Sequence, residues 1–360
     1  MIKEKSAVLP VNEFNQPDKG VSLTLDAWRR LKKNHMAMAG LVLVIFFILI
    51  SVLAPVLPIY SYTEQVIDHQ YLPPSLTKNA GQLYYERTLG QMNALAEKEK
   101  RDLNQEELAA LEQIKYRIAN ETAVINGKEV KVHERRYLFG TDYLGRDMLA
   151  RVIYGGQISI AIGFVGTITS VLIGIVLGAI AGYLGGKVDY IIMRIVDVIY
   201  GLPYMMLVII FMAIFGRNII NLFVALAVVS WLTVARVVRG QIMSLKNSEF
   251  VEAARSSGAS TTRIIFRHLL PNTLGVIIVF STLRIPTFIM LEAFLSFLGL
   301  GISAPLASWG SLVGHAVDGM NLYPWRLFFP AAAMTLFLFG MNFLGDGLRD
   351  AFDPQGKNKF

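Results

Sequence analysis

Six long apolar segments limit this chain to folds that cross a membrane. Crossing about 30 Å of hydrocarbon takes about 20 apolar helical residues, and buried helices of a large soluble protein do not explain so many segments of that length. Composition supports this class, because 54% of the residues are hydrophobic and only 17% are charged. The predicted spans are Ala37–Tyr60, Ile158–Leu184, Ile195–Phe215, Ile219–Ala235, Leu269–Leu300 and Leu327–Leu344. The sequence therefore predicts an all-α integral membrane protein with six transmembrane helices.

Charged residues beside these segments predict the orientation of the chain. The first apolar segment starts only at Ala37 and has no obvious small-residue cleavage site, so we interpret it as an anchor. Trp28–His35 carries four basic residues, and Arg236–His268 carries six Lys or Arg against two Glu. Basic segments favour the cytoplasmic side, whereas Tyr60–Arg151, with thirteen basic and fourteen acidic residues, is nearly neutral. We therefore predict that both termini are cytoplasmic.

This orientation divides the chain into five predicted parts. They are a cytoplasmic segment (1–36), transmembrane helix 1 (37–60), an extracytoplasmic region (61–155), a core of transmembrane helices 2 to 6 with a cytoplasmic loop at 240–270 (156–347), and a cytoplasmic tail (348–360).

The region between the first two spans has signals of a small soluble fold. Asn104 followed by Glu107 is typical of a capping box, and we predict two helices that meet near Asp102. The segment Thr122–Val132 alternates around Asn126-Gly127, which predicts a hairpin with a type I′ turn. The region either packs on the protein itself, the interpretation we favour, or offers a docking surface to an external partner.

Several classes of site are excluded by what the sequence lacks. There is no cysteine, so disulfides and thiolate metal sites are absent. No G-x-x-x-x-G-K-[ST] motif occurs, so the chain lacks the phosphate loop of an ATPase, and no G-x-S-x-G occurs. The histidines show no metal-ligand spacing; they are His35, His69, His133, His268 and His315. We expect no catalytic residue, metal or cofactor, and no nucleic-acid partner.

A polar segment between two apolar ones, 250–272, predicts two helices separated by a sharp bend. Glu249 and Glu252 suit the positive N-terminal end of the first helix, and Gly258 tolerates the left-handed turn that ends it. Ser260 or Thr261 can cap a second helix, Thr262–Leu269, and Pro271 fits the first turn of the next span. The segment either transmits movement from a soluble partner or is an ordinary loop, and physical reasoning alone leaves both open.

The same segment resembles the EAA loop of ABC importer permeases. That pattern is Glu-Ala-Ala, three residues, Gly, nine residues and Ile-x-Leu-Pro, with His268 here in place of the isoleucine. The matching residues are Glu252, Ala253, Ala254, Gly258, Leu270 and Pro271. The resemblance implies that the first helix docks on an ATPase subunit, that the small Ala253 and Ala254 permit close contact, and that Glu252 pairs with basic groups. Arg255 is assigned to the same ATPase-coupling set.

Further segments resemble one branch of these permeases along most of the chain. They are WRRLKKNHMAMAG (28–40), FGTDYLGRDMLARVIYGGQISI (139–160), GYLGGKVDYIIMRIVDV (182–198), EAFLSFLGLG (292–301), ASWGSLV (307–313) and GDGLRDAFDP (345–354). Together they are similar to the second permease subunit of the oligopeptide, dipeptide and nickel branch. The segment Thr77–Arg135 departs from this pattern as an insertion into the usual short connection.

The resemblance implies a type I ABC importer permease in the bacterial inner membrane. Its implied partners are a homologous permease subunit in a heterodimer, two ATP-binding subunits, an extracytoplasmic substrate-binding protein, membrane lipid and a peptide substrate. Nickel or another small solute is the alternative cargo. A secondary transporter or channel is the rival class, and it would need no cytoplasmic docking element.

Charged residues and glycines inside the predicted spans suggest contacts within the membrane. Gly174 and Gly178 have the GxxxG spacing that lets helix backbones approach closely. Arg194 and Asp197 are three residues apart and are predicted to pair. Arg284 and Glu292 lie on one helix face about 12 Å apart, with Pro286 between them predicted to bend the helix. These two residues either line a translocation path or bind a neighbouring helix, and both alternatives stay open.

Overall fold

The computed structural model describes residues 23–125 and 128–352, and most of them are helical. The helices are α1 (Leu23–Lys33), α2 (His35–Val52), α3 (Ala80–Lys98), α4 (Gln105–Asn120), α5 (Met148–Leu184), α6 (Gly186–Tyr200), α7 (Tyr204–Phe215), α8 (Ile219–Leu245), α9 (Glu249–Ser256), α10 (Thr261–Arg263), α11 (Leu270–Phe297), α12 (Trp309–Ala316) and α13 (Trp325–Phe352). Two strands, β1 (Ala123–Ile125) and β2 (Lys128–Val130), pair antiparallel. A π-helical segment, Ile264–Leu269, joins α10 to α11, so that one helix runs from Thr261 to Phe297.

Among the described residues, five helices are long and apolar enough to cross a membrane: α2, α5, α8, the helix 261–297 and α13. The helices α6 and α7 pass the same test only together, and they meet at 81°. The predicted span Ile195–Phe215 is therefore not one continuous helix. Residues 201–203 separate the two helices, because Pro203 has no N–H to donate and restricts the residue before it. Six spans result if the bent pair counts as one.

One other predicted feature of the spans differs from the structure. The first predicted span ran to Tyr60, but α2 ends at Val52, ahead of Pro55 and Pro58. Pro286 lies inside α11, and the bend expected there stays a prediction.

The central helix of the membrane part is α5, which packs against α8 through a row of glycines. A Cβ on Gly174 would lie 2.5 Å from Cβ of Val234, and one on Gly182 would lie 2.8 Å from the carbonyl oxygen of Arg239. A Cβ on Gly178, between them, would meet the carbonyl oxygen of Ala235. Only hydrogen fits at these positions, which confirms the predicted close approach of the helix carrying Gly174 and Gly178 to a neighbour.

The short helix α12 fills the space between α5, α11 and α13. Trp309 at its start is buried, its indole N–H donates to the carbonyl oxygen of Val152 at 2.8 Å, and its backbone N–H donates to Oγ of Ser159 at 2.9 Å. Phe47 of α2 and Phe337 of α13 pack edge-on or tilted against the indole ring, with centroids 5.6 Å away in both cases. The tryptophan thus joins four helices into one apolar cluster.

The soluble region between α2 and α5 folds as expected from its capping signals. Asn104 caps α4 and forms the predicted capping box with Glu107, and α3 ends shortly before Asp102. The strands β1 and β2 flank Asn126-Gly127, and the type I′ turn predicted there falls outside the described residues. Within this region, residues 77–135 pack on the segment 60–72 of the same chain, as the favoured interpretation predicts. The two ends of the segment 77–135 lie next to each other, because the backbone N–H of Ser75 donates to the carbonyl oxygen of Tyr137 at 3.1 Å.

Two buried histidines, His69 and His133, form a chain of hydrogen bonds inside this soluble region. His69 Nδ1 lies 2.9 Å from the Tyr137 hydroxyl, His69 Nε2 lies 3.0 Å from His133 Nδ1, and His133 Nε2 lies 3.2 Å from Glu121 Oε2. If the hydroxyl donates, each ring carries one proton on Nε2, and every donor meets an acceptor. This proton count fits two neutral imidazoles.

We expect Gly178→Ala to lower the free energy of unfolding by about 1–3 kcal/mol, because its Cβ would push α5 away from the α8 backbone. Gly240→Ala is the matched control, since a Cβ on Gly240 has no neighbour within 4 Å. That control should be neutral or slightly stabilising, as alanine favours a helix. Unfolding in mixed detergent micelles measures both variants, and equal midpoints would contradict the glycine contact.

We expect acid to weaken the soluble region through His69. Burial, then the neighbouring His133, Arg135 and Arg87, lower the pKa of His69 from 6.5 to about 3. Because folding lowers the pKa of His69, the residue binds a proton more readily in the unfolded state. Its contribution to the stability of the folded state is therefore complete above pH 6.5. The stabilisation falls by up to about 1.4 kcal/mol per pH unit between pH 6.5 and 3. His69→Gln should lose this dependence.

The measurement is the difference between the wild-type and His69→Gln melting temperatures at each pH from 7 to 4. A difference is needed because burial raises the pKa of Asp147, the N-cap of α5, to about 6, which changes stability in the opposite sense. The wild-type advantage should shrink as pH falls. A constant advantage would show that His69 does not titrate in this way.

Candidate functional site

The loop between α8 and α11 contains the short helix α9. This helix ends at the left-handed turn predicted for Gly258. Gly258 has φ +75°. Its N–H donates to the carbonyl oxygen of Arg255 at 3.0 Å, and the N–H of Ala259 donates to the carbonyl oxygen of Ala254 at 3.1 Å. These two bonds form a Schellman motif, in which the left-handed residue closes the helix. The direction of the chain after α9 therefore depends on a residue without a Cβ.

The second helix of this loop differs from the prediction. Ser260 caps it, but it continues through Arg263 and the π-helical segment directly into α11 rather than ending at Leu269. Pro271 lies in the first turn of α11, as expected, and the wider π spacing occurs just before it, where the proline supplies no N–H. The loop is thus continuous with a membrane helix.

One side of α9 is fixed to the membrane helices and the other is exposed. Val251 is 0% exposed and packs with Ile264 and Leu269 of the second helix and with Val238 and Ile242 of α8. The buried side of α9 thus belongs to one apolar cluster with both α8 and the helix that becomes α11.

The residues predicted to couple to an ATPase lie mainly on the exposed side. Glu252, Ala253 and Arg255 are exposed, and so is Gly258, whereas Ala254 is half-buried and packs against the cluster around Val251. Of the two alanines, only Ala253 is thus fully available to a partner. Among the described residues Glu252 has no ion-pair partner within 4 Å, so its charge is open to one from outside the chain.

Charged pairs join α6 to α8, but the predicted pair of Arg194 with Asp197 is wrong. Asp197 lies 2.6 Å from the guanidinium of Arg236 on α8, and Arg194 instead lies over the ring of Tyr190 at 5.2 Å. A second, two-point pair joins Asp189 to Arg239 at 2.5 and 2.6 Å. Sequence spacing within α6 gave the wrong partner because the acids of α6 face α8.

Glu292 is buried against α12. Its carboxylate accepts hydrogen bonds from the hydroxyls of Ser296 and Ser308, each at 2.6 Å, and Ser308 is the N-cap of α12. A Cβ on Gly310 would lie 2.8 Å from its second oxygen. A carboxylate is favourable at the N-terminus of a helix, so this geometry supports the neighbouring-helix alternative for Glu292.

Arg284 lies elsewhere, in a cavity of about 310 Å³ halfway along α8 and α11. The guanidinium donates to the carbonyl oxygen of Ser230 at 3.1 Å and lies 5.5 Å from the ring centre of Phe288. The cavity lies at the break between α6 and α7 and is lined by Ile199, Tyr200, Leu202, Tyr204, Val229, Ser230, Leu232, Thr233, Arg284, Thr287, Phe288 and Leu291. The structure thus separates Arg284 from Glu292.

One cluster was missed by sequence spacing because its members are far apart in the chain. Ligand atoms of Asp68, Glu121 and His133 lie within 4.8 Å of one another, in an arrangement that could hold a metal ion. The guanidinium of Arg117 pairs with both carboxylates, at 3.2 Å in the case of Glu121. Because Arg117 already pairs with both acids, we assign the cluster a structural role.

Comparison with known families gives two matching models. One is described as the binding-protein-dependent transport system inner membrane component and covers residues 174–357. The other is the N-terminal TM domain of oligopeptide transport permease C and covers residues 22–74. The first match contains α9, the Arg284 cavity and most of the membrane helices.

Curated relatives align along most of the chain. The dipeptide transport system permease protein DppC of Bacillus subtilis is 40% identical over 93% of this chain and 87% of its own length. The oligopeptide transport system permease protein OppC of the same organism is 36% identical, over 94% and 91%. DppC of Alkalihalophilus pseudofirmus is 33% identical over 99% of this chain and 97% of its own length, so that alignment runs through 77–135.

Proposed function

Because this chain belongs to the family of binding-protein-dependent transport system inner membrane components, we propose that it carries peptides through the membrane as one permease subunit of an ABC importer. It is a transport permease and a multi-pass inner membrane protein. The peptide permeases among its relatives support peptides as the cargo, and nickel is not favoured.

The observation that carries this proposal is the attachment of α9 to both walls of the Arg284 cavity. The buried side of α9 packs on α8 and on the helix continuous with α11. The same two helices supply Ser230, Arg284 and Phe288 to the cavity. Movement imposed on the exposed side of α9 would therefore shift two walls of the cavity together.

The proposed partners rest on the family to which the chain belongs. Two ATP-binding subunits hydrolyse ATP, since the sequence has no phosphate loop of its own, and one of them docks on Glu252, Ala253 and Arg255. A homologous permease forms a heterodimer with this chain. A substrate-binding protein delivers the peptide from outside.

The proposed path of the peptide includes Arg284 but not Glu292. Arg284 lies in the cavity between membrane helices, where a translocated peptide would pass. Glu292 instead holds the N-terminus of α12, and we propose a structural role for it.

The proposed orientation places both termini and α9 in the cytoplasm and the soluble region outside. The chain contains no cysteine, so single engineered cysteines can be labelled without background. In intact cells, Lys100→Cys, between α3 and α4, should react with an impermeant thiol reagent and Ser260→Cys, beside α9, should not. Both should react in permeabilised cells. The reverse pattern in intact cells would overturn the orientation.

The coupling role of α9 predicts opposite results for two substitutions of Gly258. Gly258→Val puts a β-branched residue at φ +75°, which costs on the order of 1–3 kcal/mol and should change the direction of the chain after α9. Peptide uptake should fall at least several-fold at normal membrane abundance. Gly258→Asn is the matched control, because asparagine tolerates this conformation, and it should keep most of the uptake.

Charge reversal at the exposed side of α9 gives a second test of the same role. Glu252→Lys should weaken co-purification of the ATPase subunits, more strongly at low salt, while Glu106→Lys on the exposed side of α4 should not. Normal uptake by both Gly258→Val and Glu252→Lys would refute coupling through α9. Peptide transport without ATP by this chain alone in vesicles would refute the ABC importer itself.

A further inference from the structure

Arg284 differs from the arginines that join α6 and α8 because no carboxylate accompanies it. Arg236 and Arg239 each pair with an aspartate of α6 at 2.6 Å or less. The partners of Arg284 are a backbone carbonyl oxygen and an aromatic ring. No described Asp or Glu lies within 4 Å of its guanidinium, and its Nε is buried without a hydrogen-bond acceptor.

This arrangement leaves the positive charge of Arg284 only partly compensated, at a position halfway along the membrane helices α8 and α11. A charged side chain there is costly, and arginines inside spans pair with acids or with backbone carbonyl groups, or face water-filled cavities. One carbonyl and one ring face use only part of the five N–H groups that a guanidinium can donate. The free donors of Arg284 therefore fit an anion that enters the cavity from outside the chain.

The rest of the cavity also suits the end of a peptide. Its volume of about 310 Å³ is at the lower end for ligand pockets, which leaves room for the end of a peptide rather than a whole one. The hydroxyls of Tyr204 and Ser230 lie 2.9 Å apart beside Arg284, and Thr233 and Thr287 add two more polar groups. Tyr200 and Phe288 give the apolar walls.

We propose that Arg284 binds the C-terminal carboxylate of the transported peptide, an inference that rests on peptide import as the function. A carboxylate accepts two parallel N–H bonds from one guanidinium, which gives both affinity and a fixed orientation. Every unmodified peptide has this group whatever its sequence. A single fixed arginine can therefore hold substrates with different side chains.

The test compares two peptides that differ only in this carboxylate. Trialanine and trialanine amide are supplied to proteoliposomes that contain the complete transporter and its binding protein. Initial uptake is measured for the wild type, Arg284→Gln and Arg284→Lys. Since the same binding protein serves every variant, its own preference cancels when the acid-to-amide uptake ratio of a variant is divided by that of the wild type.

We expect Arg284→Gln to lower the acid-to-amide ratio about tenfold, in line with the loss of a charge-assisted hydrogen bond. Arg284→Lys should keep part of the preference, because it keeps the charge but not the two-point geometry. Arg194→Gln, which removes a membrane arginine outside the cavity, should leave the ratio unchanged. An equal loss of both peptides in Arg284→Gln would overturn the proposal, and combined with reduced assembly it would assign Arg284 to a carboxylate of the partner permease.

A second measurement does not depend on the binding protein. Thr287→Cys places the only thiol of this chain in the cavity, and its labelling by a maleimide is followed in the purified complex with millimolar peptide. Trialanine should protect the thiol more than its amide does, and Arg284→Gln should abolish the difference. Equal protection by both peptides would overturn the carboxylate contact, whereas failure of the wild type to carry either peptide would overturn peptide import instead.

Discussion

The close backbone contact between α5 and α8 is the constraint on which the membrane part depends. Apolar side chains gain little by leaving lipid for a protein interior, so helices in a membrane associate where small residues let their backbones touch. Gly174, Gly178 and Gly182 place α8 against one side of α5, and Gly163 and Gly166 place α11 against another. The cavity exists because α5 holds these two helices in fixed positions and leaves a space between them.

This arrangement also explains how a short polar loop can influence a site in the middle of the membrane. The loop supplies none of the residues that line the cavity, but its buried residue Val251 shares an apolar cluster with α8 and with the helix that becomes α11, and both helices line the cavity. The two charged pairs between α6 and α8 connect a third helix, α6, to this arrangement. That helix ends at the break that borders the cavity. Rigid helices can then carry a displacement from α9 inward, provided that the turn at Gly258 keeps its shape.

Local features could be predicted from the sequence because they depend on neighbours in the chain. The left-handed turn at Gly258, the capping box at Asn104 and the glycine face of α5 each follow from a few adjacent residues. The break between α6 and α7 was missed although Pro203 was visible within an apolar run. The apolar composition of residues 195–215 led to the prediction of one helix, but Pro203 divides the segment between two helices.

Contacts between distant elements could not be predicted in the same way. Asp197 has Arg194 nearby in sequence, yet its partner is Arg236, since the relative rotation of two helices decides which side chains meet. The position of Glu292 depends on α12 folding back against α11, which no residue spacing reveals. The pairing of His69 with His133 likewise joins residues on either side of two helices and a hairpin.

The hydrogen bond between Ser75 and Tyr137 has an evolutionary consequence. It closes a loop that holds α3, α4 and both strands, so the chain leaves and re-enters the rest of the protein at almost the same point. Closing a longer loop costs little additional entropy, since the cost grows only with the logarithm of its length. A lineage could therefore acquire or shed this whole unit in one genetic event while α2 and α5 keep their places.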